Sequence, residues 1–162
     1  MKVCYTLLFA LCSLLYACGF SPVYSDNSKL ENKLTDIYIA PISGTNGIDL
    51  RNHLILAWNT SNSESSKYKL SVKLNKPSTT YKALQRSGDA TWEEVKMTAS
   101  WTLSEGQKVI SKSSESASES YTFVSDFISA NASKTTAIQN TIKSIADKIE
   151  IKVNAKLKSE DL

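Results

Sequence analysis

Apolar and polar residues alternate through the middle of the chain, in the pattern of β-strands that have one covered face. The clearest run is Lys67–Asn75, and a second run spans Thr91–Leu103. Shorter strands are predicted at Leu34–Ile42 and Thr79–Leu84. The side chains expected to face the core are Tyr68, Leu70, Val72, Leu74, Val95, Met97, Ala99, Trp101 and Leu103. The middle of the chain is therefore predicted to form a sheet.

Two stretches fit this pattern less well. Trp92 is out of phase with the run that follows it, so we expect a β-bulge at Glu93–Glu94. Lys108–Val124 follows a hairpin turn at Glu105–Gly106, but Ser111–Ser120 within it is almost wholly Ser and Glu. That composition also fits a disordered linker. The preceding turn, and the apolar residues at both ends, favour a strand.

Helical spacing of apolar residues appears in two places. The first helix is predicted from Asp49 as N-cap to about Asn59. The second is predicted from Ser125 or Asp126 to about Lys158. Its apolar stripe consists of Ile138, Ile142, Ile145, Ile149 and Val153, with lysines on the opposite side. The predicted class is α+β in the order β-α-β-β-β-α, with the helices on one face of a mixed or antiparallel sheet.

The first residues have the pattern of a bacterial export signal. A positive end at Met1-Lys2 precedes the short apolar run Val3–Leu15, and the run is too short for a membrane span of ~20 residues. The Leu-x-Ala-Cys sequence that ends at Cys18 resembles a lipobox, in which that cysteine receives lipid. The alternative is an ordinary cut after Ala17. The predicted organisation is a signal peptide at 1–17, a lipidated cysteine and tether at 18–33, and a folded body at 34–162.

Charge and cysteine content narrow the possible functions. The formal net charge is +3, and loss of Lys2 with the signal leaves +2, which is far from a nucleic-acid-binding signature. Cys4 and Cys12 lie in the predicted signal peptide, so lipidation of Cys18 leaves no free thiol. We therefore expect neither nucleic-acid binding nor a thiolate metal site, and the lipid on Cys18 is the only expected prosthetic group.

The sequence contains no recognisable catalytic constellation. His53 is the single histidine and lacks a second ligand at metal-binding spacing, so a solvated histidine is the simpler interpretation. Ser66 and Lys69 match an S-x-x-K pattern of penicillin-recognising enzymes, but the accompanying K-T-G motif is absent from the sequence. We predict that the protein is not an enzyme, with a periplasmic hydrolase as the hypothesis to be tested against this.

The polar faces of the predicted strands carry more information. The candidate lipopolysaccharide-binding residues are Lys67, Lys69, Lys73, Lys82 and Arg86, whose cations suit lipid A phosphates or acidic sugars. A solvated sheet face is the alternative. The chain also contains 25 Ser and 13 Thr. A face of small hydroxyls would fit against the polar interior of an outer-membrane barrel, although solubility alone also explains this composition.

Five segments together resemble the lipopolysaccharide-assembly lipoprotein family LptE, in its alphaproteobacterial form. They follow one another in the family's order across the whole mature chain. The segments are Ala17-Cys18-Gly19-Phe20-Ser21-Pro22-Val23-Tyr24, Ile37-Tyr38-Ile39-Ala40-Pro41-Ile42, Leu50-Arg51-Asn52-His53-Leu54, Tyr68-Lys69-Leu70-Ser71-Val72 and Ala117-Ser118-Glu119-Ser120-Tyr121.

The resemblance implies a four-stranded sheet with two helices packed on one face. It also implies an outer-membrane lipoprotein, held by Cys18 on the periplasmic face and sorted there by Gly19. Such a protein plugs the LptD β-barrel, assists its assembly and binds lipopolysaccharide, without catalysing a reaction. The alternative is an auxiliary lipoprotein of a lipid-transport ABC system, which would share the lipobox and a mixed α+β domain.

Overall fold

The computed structural model describes residues 33–84, 90–122 and 126–159. The predicted signal peptide at 1–17, Cys18, and the tether up to residue 32 lie outside these ranges. Residues 33–35 are helical. The elements that follow are β1 Ile37–Ile39, α1 Thr45–Trp58, β2 Tyr68–Leu74, β3 Ser78–Leu84, β4 Ala90–Glu105, β5 Lys108–Thr122 and α2 Phe127–Ser159.

The five strands form one mixed sheet built around β4. Strand β1 pairs with β2 in parallel, and the other pairings are antiparallel. Because β5 pairs with β4 from residue 92 to residue 105, it occupies one edge of β4 along most of its length. Strands β2 and β3 therefore share the opposite edge and lie end to end. The predicted class of α+β with a mixed or antiparallel sheet is confirmed.

The expected four strands become five because the second one is interrupted by a bulge. Leu74 pairs with Ala99 and Ser78 pairs with Lys96, so β2 and β3 advance four residues while β4 advances three. Pro77 lies in this interruption and has no backbone N–H to donate to the ladder. The sheet thus has four strand positions, as expected, with one of them divided.

Both helices cover one face of the sheet, and the core lies between. The odd-numbered side chains of β4 from Val95 to Leu103 are buried there, as the alternation predicted. The bulge expected at Glu93–Glu94 is wrong for this strand, because the β4–β5 register continues unbroken from Trp92 to Leu103. The irregularity lies opposite, in β3, where one extra residue separates the partners of Glu93 and Trp92. Glu93 therefore takes a buried position, and the indole of Trp92 remains 48% exposed on the outer face.

Helix α2 closes the core with the apolar stripe that the sequence predicted. Its fully or nearly fully buried side chains are Ala137, Ile142, Ile145, Ala146, Ile149, Val153 and Leu157. Ile138 is partly buried against the same core. At the start of the helix, the carboxylate of Asp126 accepts the backbone N–H of Ser129 at 2.8 Å and its hydroxyl at 2.6 Å. Asp126 is the N-cap, in agreement with the prediction.

Helix α1 begins earlier than the sequence predicted, and β1 is shorter. The helix starts at Thr45, so Asp49 lies inside it and is not the N-cap. A Cβ on Gly47 would lie 2.8 Å from Cγ2 of Ile42, so only glycine allows this close approach of the first turn. The expected strand Leu34–Ile42 contracts to Ile37–Ile39, because the chain before it is helical and Pro41 follows it.

Among the described residues, no helix combines the length and the apolar character that a membrane crossing requires. This includes α2, whose 33 residues carry lysines along the solvent side.

Candidate functional surface

The sheet face opposite the helices is a nearly continuous surface of hydroxyl groups and lysines, which we call the hydroxyl face. It arises from the period of two in a strand: large apolar residues point inward, and their small polar neighbours point outward. Its residues are Lys67, Lys69, Ser71 and Lys73 at β2, Lys96, Thr98, Ser100, Thr102 and Ser104 of β4, and Lys112, Ser114, Ser116, Ser118, Ser120 and Thr122 of β5.

Three of the predicted binding residues lie in one row on this face. Lys67 forms an ion pair with Glu105 at 3.3 Å and lies 5.1 Å from the ring centre of Tyr68. The Tyr68 hydroxyl, followed by the Glu105 carboxylate, raises the pKa of the Lys67 amine. Lys69 lies 6.0 Å from the ring centre of Tyr38. Lys67 therefore stays protonated, and the carboxylate of Glu105 offsets part of the positive charge that it could offer to a bound anion.

Of the other two predicted binding residues, the structure describes Lys82 but not Arg86. Lys82 is ion-paired with Glu94 at 3.1 Å, a partner that the sequence did not indicate. This pair reduces the charge that Lys82 offers to an anion. Arg86 lies outside the described residues, so its proposed contact with phosphate stays a prediction.

Two lysines that the sequence interpretation overlooked complete the hydroxyl face. Lys112 pairs with Thr102 across the β4–β5 ladder, and Lys96 pairs with Ser118. A shallow recess of about 270 Å³ places Lys73 and Lys112 at the rim, with the hydroxyls of Ser71, Ser100 and Thr102 between them. Two ammonium groups and three hydroxyls can together donate to a phosphate or a carboxylate. The hairpin turn at Glu105–Gly106 was the available signal, because it sets the register that places Lys112 opposite Thr102 of β4.

The inner face of β5 carries a buried polar cluster. The Glu115 carboxylate accepts hydrogen bonds from Trp101 Nε1 at 3.3 Å and Ser113 Oγ at 2.9 Å, and pairs with Lys152 Nζ at 2.7 Å. Burial alone would raise the pKa of Glu115, but the bonds from Lys152, Ser113 and Trp101 hold it below its ordinary value. The cluster joins α2 to β5 by polar contacts in the region where β5 is almost wholly Ser and Glu.

A second buried carboxylate lies further along the sheet. The phenol of Tyr121 donates a short hydrogen bond to Glu93 Oε2. Burial, and then the Glu93 carboxylate, raise the pKa of the Tyr121 phenol, so the phenol stays protonated and keeps donating. Periodicity within one strand does not indicate this pair, because the β4–β5 register is what brings the two residues together.

His53 lies in an open groove of about 390 Å³ between α1 and α2. Its side chain is exposed, and the groove is also lined by Asp49, Asn52, Gln139 and Lys143. The described part of the chain contains no group of three or more His, Cys, Asp or Glu side chains that could hold a metal ion.

The complete arrangement, two helices on one face of a mixed sheet, is a fold found in bacterial lipoproteins. A lipoprotein of Caulobacter crescentus has a TM-score of 0.67 at 20% identity, over 82% of this chain and 98% of that one. The rare lipoprotein B of Shewanella oneidensis has a TM-score of 0.63 at 10% identity, over 78% of this chain and 98% of that one. Lipoprotein B of Nitrosomonas europaea has a TM-score of 0.59 at 16% identity, over 75% and 83%.

No protein-family model and no curated protein sequence matches this chain. At these identities the similarity establishes a shared fold and nothing about a shared ligand. The fold expected from the resemblance is thus confirmed, with bacterial lipoproteins as its structural neighbours. The alphaproteobacterial LptE type stays a prediction.

Proposed function

We propose that the protein is a lipid-anchored, non-catalytic subunit of the lipopolysaccharide transport complex of the outer membrane. In this proposal Cys18 carries the lipid and holds the domain on the periplasmic face. The domain occupies an LptD-like β-barrel, assists its assembly and contacts lipopolysaccharide. No step requires a cofactor or a chemical reaction by the chain.

Three independent features support the proposal. The lipobox that ends at Cys18 suits an exported lipoprotein, and multiple lipid chains hold a protein stably on a membrane. The fold is shared with bacterial lipoproteins, one of which is named rare lipoprotein B. The hydroxyl face provides a polar surface of a kind that suits the interior of a barrel, with the exposed Trp92 lying beyond it on the same side of the sheet.

The hydroxyl face is the observation that carries the proposal. Across the centre of the sheet, Ser71, Ser100 and Ser114 lie in neighbouring strands, and the hydroxyls of Ser100 and Ser114 are 3.3 Å apart. Small hydroxyls let another polar surface approach closely, and they exchange bonds with water at little cost. Long charged side chains at these three positions would hold such a surface further away.

The direct test is photocrosslinking in cells from residues 100 and 114, at the centre of the hydroxyl face. The expected product is a covalent adduct with an LptD-like barrel. Depletion of the protein should also leave lipopolysaccharide off the cell surface. Recovery of an inner-membrane ATPase complex would favour the ABC-system alternative, and normal barrel assembly without the protein would contradict the proposal.

The glycolipid contact is tested separately with the purified chain. Lys73→Glu combined with Lys112→Glu should weaken binding to lipopolysaccharide vesicles, because both ammonium groups at the recess are reversed. Lys134→Glu combined with Lys143→Glu on α2 is the matched control, since it changes the net charge by the same amount on the helical side of the molecule. Equal weakening by all variants would indicate nonspecific electrostatics and remove the recess from the proposal.

The lipid anchor has its own test. Mass spectrometry of the membrane-extracted protein should show an N-terminal Cys18 that carries diacylglycerol and an acyl chain. Cys18→Ser should release the protein to the soluble periplasmic fraction. An unmodified Cys18 in the native protein would contradict the anchor and favour the ordinary cut after Ala17.

A further inference from the structure

Strand β5 lies at the edge of the sheet and is unusually long for an edge strand. It spans Lys108–Thr122, and among the described strands only β4 pairs with it. The register is unbroken from Ser111 to Thr122, and that stretch contains neither proline nor glycine. Edge strands are usually short, bulged or protected, because an open ladder invites another chain to pair with it.

The hydrogen-bond alternation identifies which groups of β5 are open. The backbone N–H of Asn75 donates to the carbonyl oxygen of Thr98, so even-numbered β4 residues direct their backbone toward β2 and β3. Odd-numbered β4 residues therefore bond to β5, where their partners are also odd-numbered. The even-numbered residues of β5 direct N–H and C=O outward. In agreement, the carbonyl oxygen of Ser116 accepts Lys148 Nζ at 2.7 Å.

The open backbone groups of such an edge can form hydrogen bonds with a second extended polypeptide. Donors and acceptors recur every second residue, or about every 7 Å, which is the repeat of another extended polypeptide. The outward-directed residues Ser114, Ser116, Ser118 and Ser120 have small side chains on the hydroxyl face, so none of them obstructs an added strand. At Ser116 the exposed Lys148 ammonium would have to release the carbonyl oxygen to the added strand. Addition of a strand to an exposed edge is a recurrent mode of peptide recognition.

Charge around the edge selects among possible partners. A recess of about 320 Å³ beside Ser116 and Ser118 is lined by Lys96 on one side of the sheet and Lys148 on the other. Glu94 also lines it, but that carboxylate is paired with Lys82. Among the described residues, Lys96 has no carboxylate within ion-pair distance. The exposed Glu119 is nearby, and the recess still presents more cations than free carboxylates.

We propose that the free edge of β5 binds an extended segment of another protein as an added strand, with an acidic residue of that segment opposite Ser116–Ser118. Its carboxylate would lie between Lys96 and Lys148. A second copy of this chain fits less well, because pairing β5 with β5 would bring two sets of these lysines together. The proposal does not depend on the identity of the barrel partner.

Hydrogen exchange of the full chain in mild detergent tests the geometry first. In the free protein, the amides of residues 113, 115, 117 and 119 should be protected, and those of 114, 116, 118 and 120 should exchange rapidly. The probe is a short synthetic peptide of alternating Thr and Val with one central Glu. Its addition should slow the even-numbered amides by about tenfold or more. Failure to protect any of them would overturn the proposal.

Charge specificity is tested by reversing the charge of the peptide and of the two lysines in turn. A peptide with Lys in place of its Glu should bind about tenfold more weakly, and Lys96→Glu with Lys148→Glu should reverse that preference. A peptide N-methylated at the alternate residues whose N–H groups face β5 should not bind, because those donors are lost and the methyl groups clash with the edge. Unchanged binding of either altered peptide would contradict strand addition at this recess.

Ser118→Pro provides the matched backbone test. It removes an outward N–H that the β4–β5 ladder does not use, and proline is tolerated at such edge positions. Peptide binding should be lost, and protection of the odd-numbered amides shows whether the fold is retained. If sedimentation shows that the chain dimerises and that its even-numbered amides are already protected, the occupant is a second copy and the proposal fails.

Discussion

Lys152 of α2 places its ammonium 2.7 Å from the carboxylate of Glu115 on β5, and the two side chains differ sharply in exposure. The side chain of Glu115 is 8% exposed and that of Lys152 is 50% exposed. A buried carboxylate is tolerated only when hydrogen bonds and a counter-charge replace its lost water. Trp101 and Ser113 provide the hydrogen bonds, and Lys152 provides the charge. This contact fixes the position of the helix along a strand that offers it few apolar side chains.

Removing the cation should therefore destabilise the fold. We expect Lys152→Met to lower the free energy of unfolding by about 1–2 kcal/mol, less than a fully buried pair would cost because Lys152 is half exposed. Urea unfolding followed by circular dichroism measures the change. Lys143→Met on the same helix is the control and should stay within about 0.5 kcal/mol of wild type. Equal effects from the two variants would show that the Glu115 contact contributes nothing specific.

The same carboxylate predicts a dependence of stability on pH. The pKa of Glu115 is lower in the folded protein than its ordinary value of 4.5. Its contribution to stability is therefore fully present above pH 4.5 and is lost as the pH falls through the lower folded pKa. Unfolding measured between neutral and strongly acidic pH should show wild type losing more stability than Glu115→Gln. The difference between the two proteins isolates this group, because Glu150, whose pKa is raised by burial and by Asp147, is common to both.

Much of the fold was predictable because its signals are local. The alternation in Tyr68–Leu74 and the apolar stripe of α2 each determine a buried face without knowledge of the partner element. The strand at Ser111–Ser120 was also predicted correctly, although the disordered alternative had the same composition. This strand forms because it pairs with β4 along its length and packs against α2. A segment of Ser and Glu has too few apolar side chains to become ordered without such partners.

The errors have a common physical cause. The interpretation of Trp92 assumed that a large aromatic side chain must face the core, whereas Glu93 occupies the buried position and bonds to Tyr121. The ion pairs of Lys82 with Glu94 and of Lys152 with Glu115 likewise join residues from different elements. Periodicity within one segment carries no information on such cross-element pairs. The sequence therefore predicted the lysine row of β2 as part of the candidate surface. The extension of this surface through Lys96 and Lys112 could be recognised only from the β4–β5 register.

The apolar stripe of α2 provides a matched pair of substitutions. Ile145 is fully buried, and Ile151, on the same helix, is 67% exposed. Ile145→Ala should cost about 2–5 kcal/mol, because it removes buried methyl groups and leaves a cavity. Ile151→Ala should change stability by less than about 0.5 kcal/mol. Thermal or urea unfolding of both variants checks the prediction, and similar losses would mean that α2 packs with a different face.

The N-cap of α2 is tested by Asp126→Ala. The substitution removes the acceptor for the Ser129 N–H and should cost about 1 kcal/mol. The Ser129 bonds also lower the pKa of Asp126, so this cost should decrease when the carboxylate is protonated in acid. Gln139→Ala, at an exposed position within the helix, is the control and should be neutral or slightly stabilising, because alanine is the better helix former. A neutral Asp126→Ala would place the start of α2 elsewhere.

The last prediction separates folding from the proposed docking of the hydroxyl face. Ser100 is exposed at the centre of that face, so Ser100→Trp should change the free energy of unfolding by less than about 0.5 kcal/mol. The indole would nevertheless stand above its cross-strand neighbours Ser114 and Lys73 and prevent close approach of a polar wall. Co-purification with the barrel should therefore fall strongly while the isolated domain stays folded. Ala57→Trp, at an exposed position of α1, is the bulky control and should leave co-purification higher. If Ser100→Trp binds the barrel as wild type does, the hydroxyl face is not the docking surface.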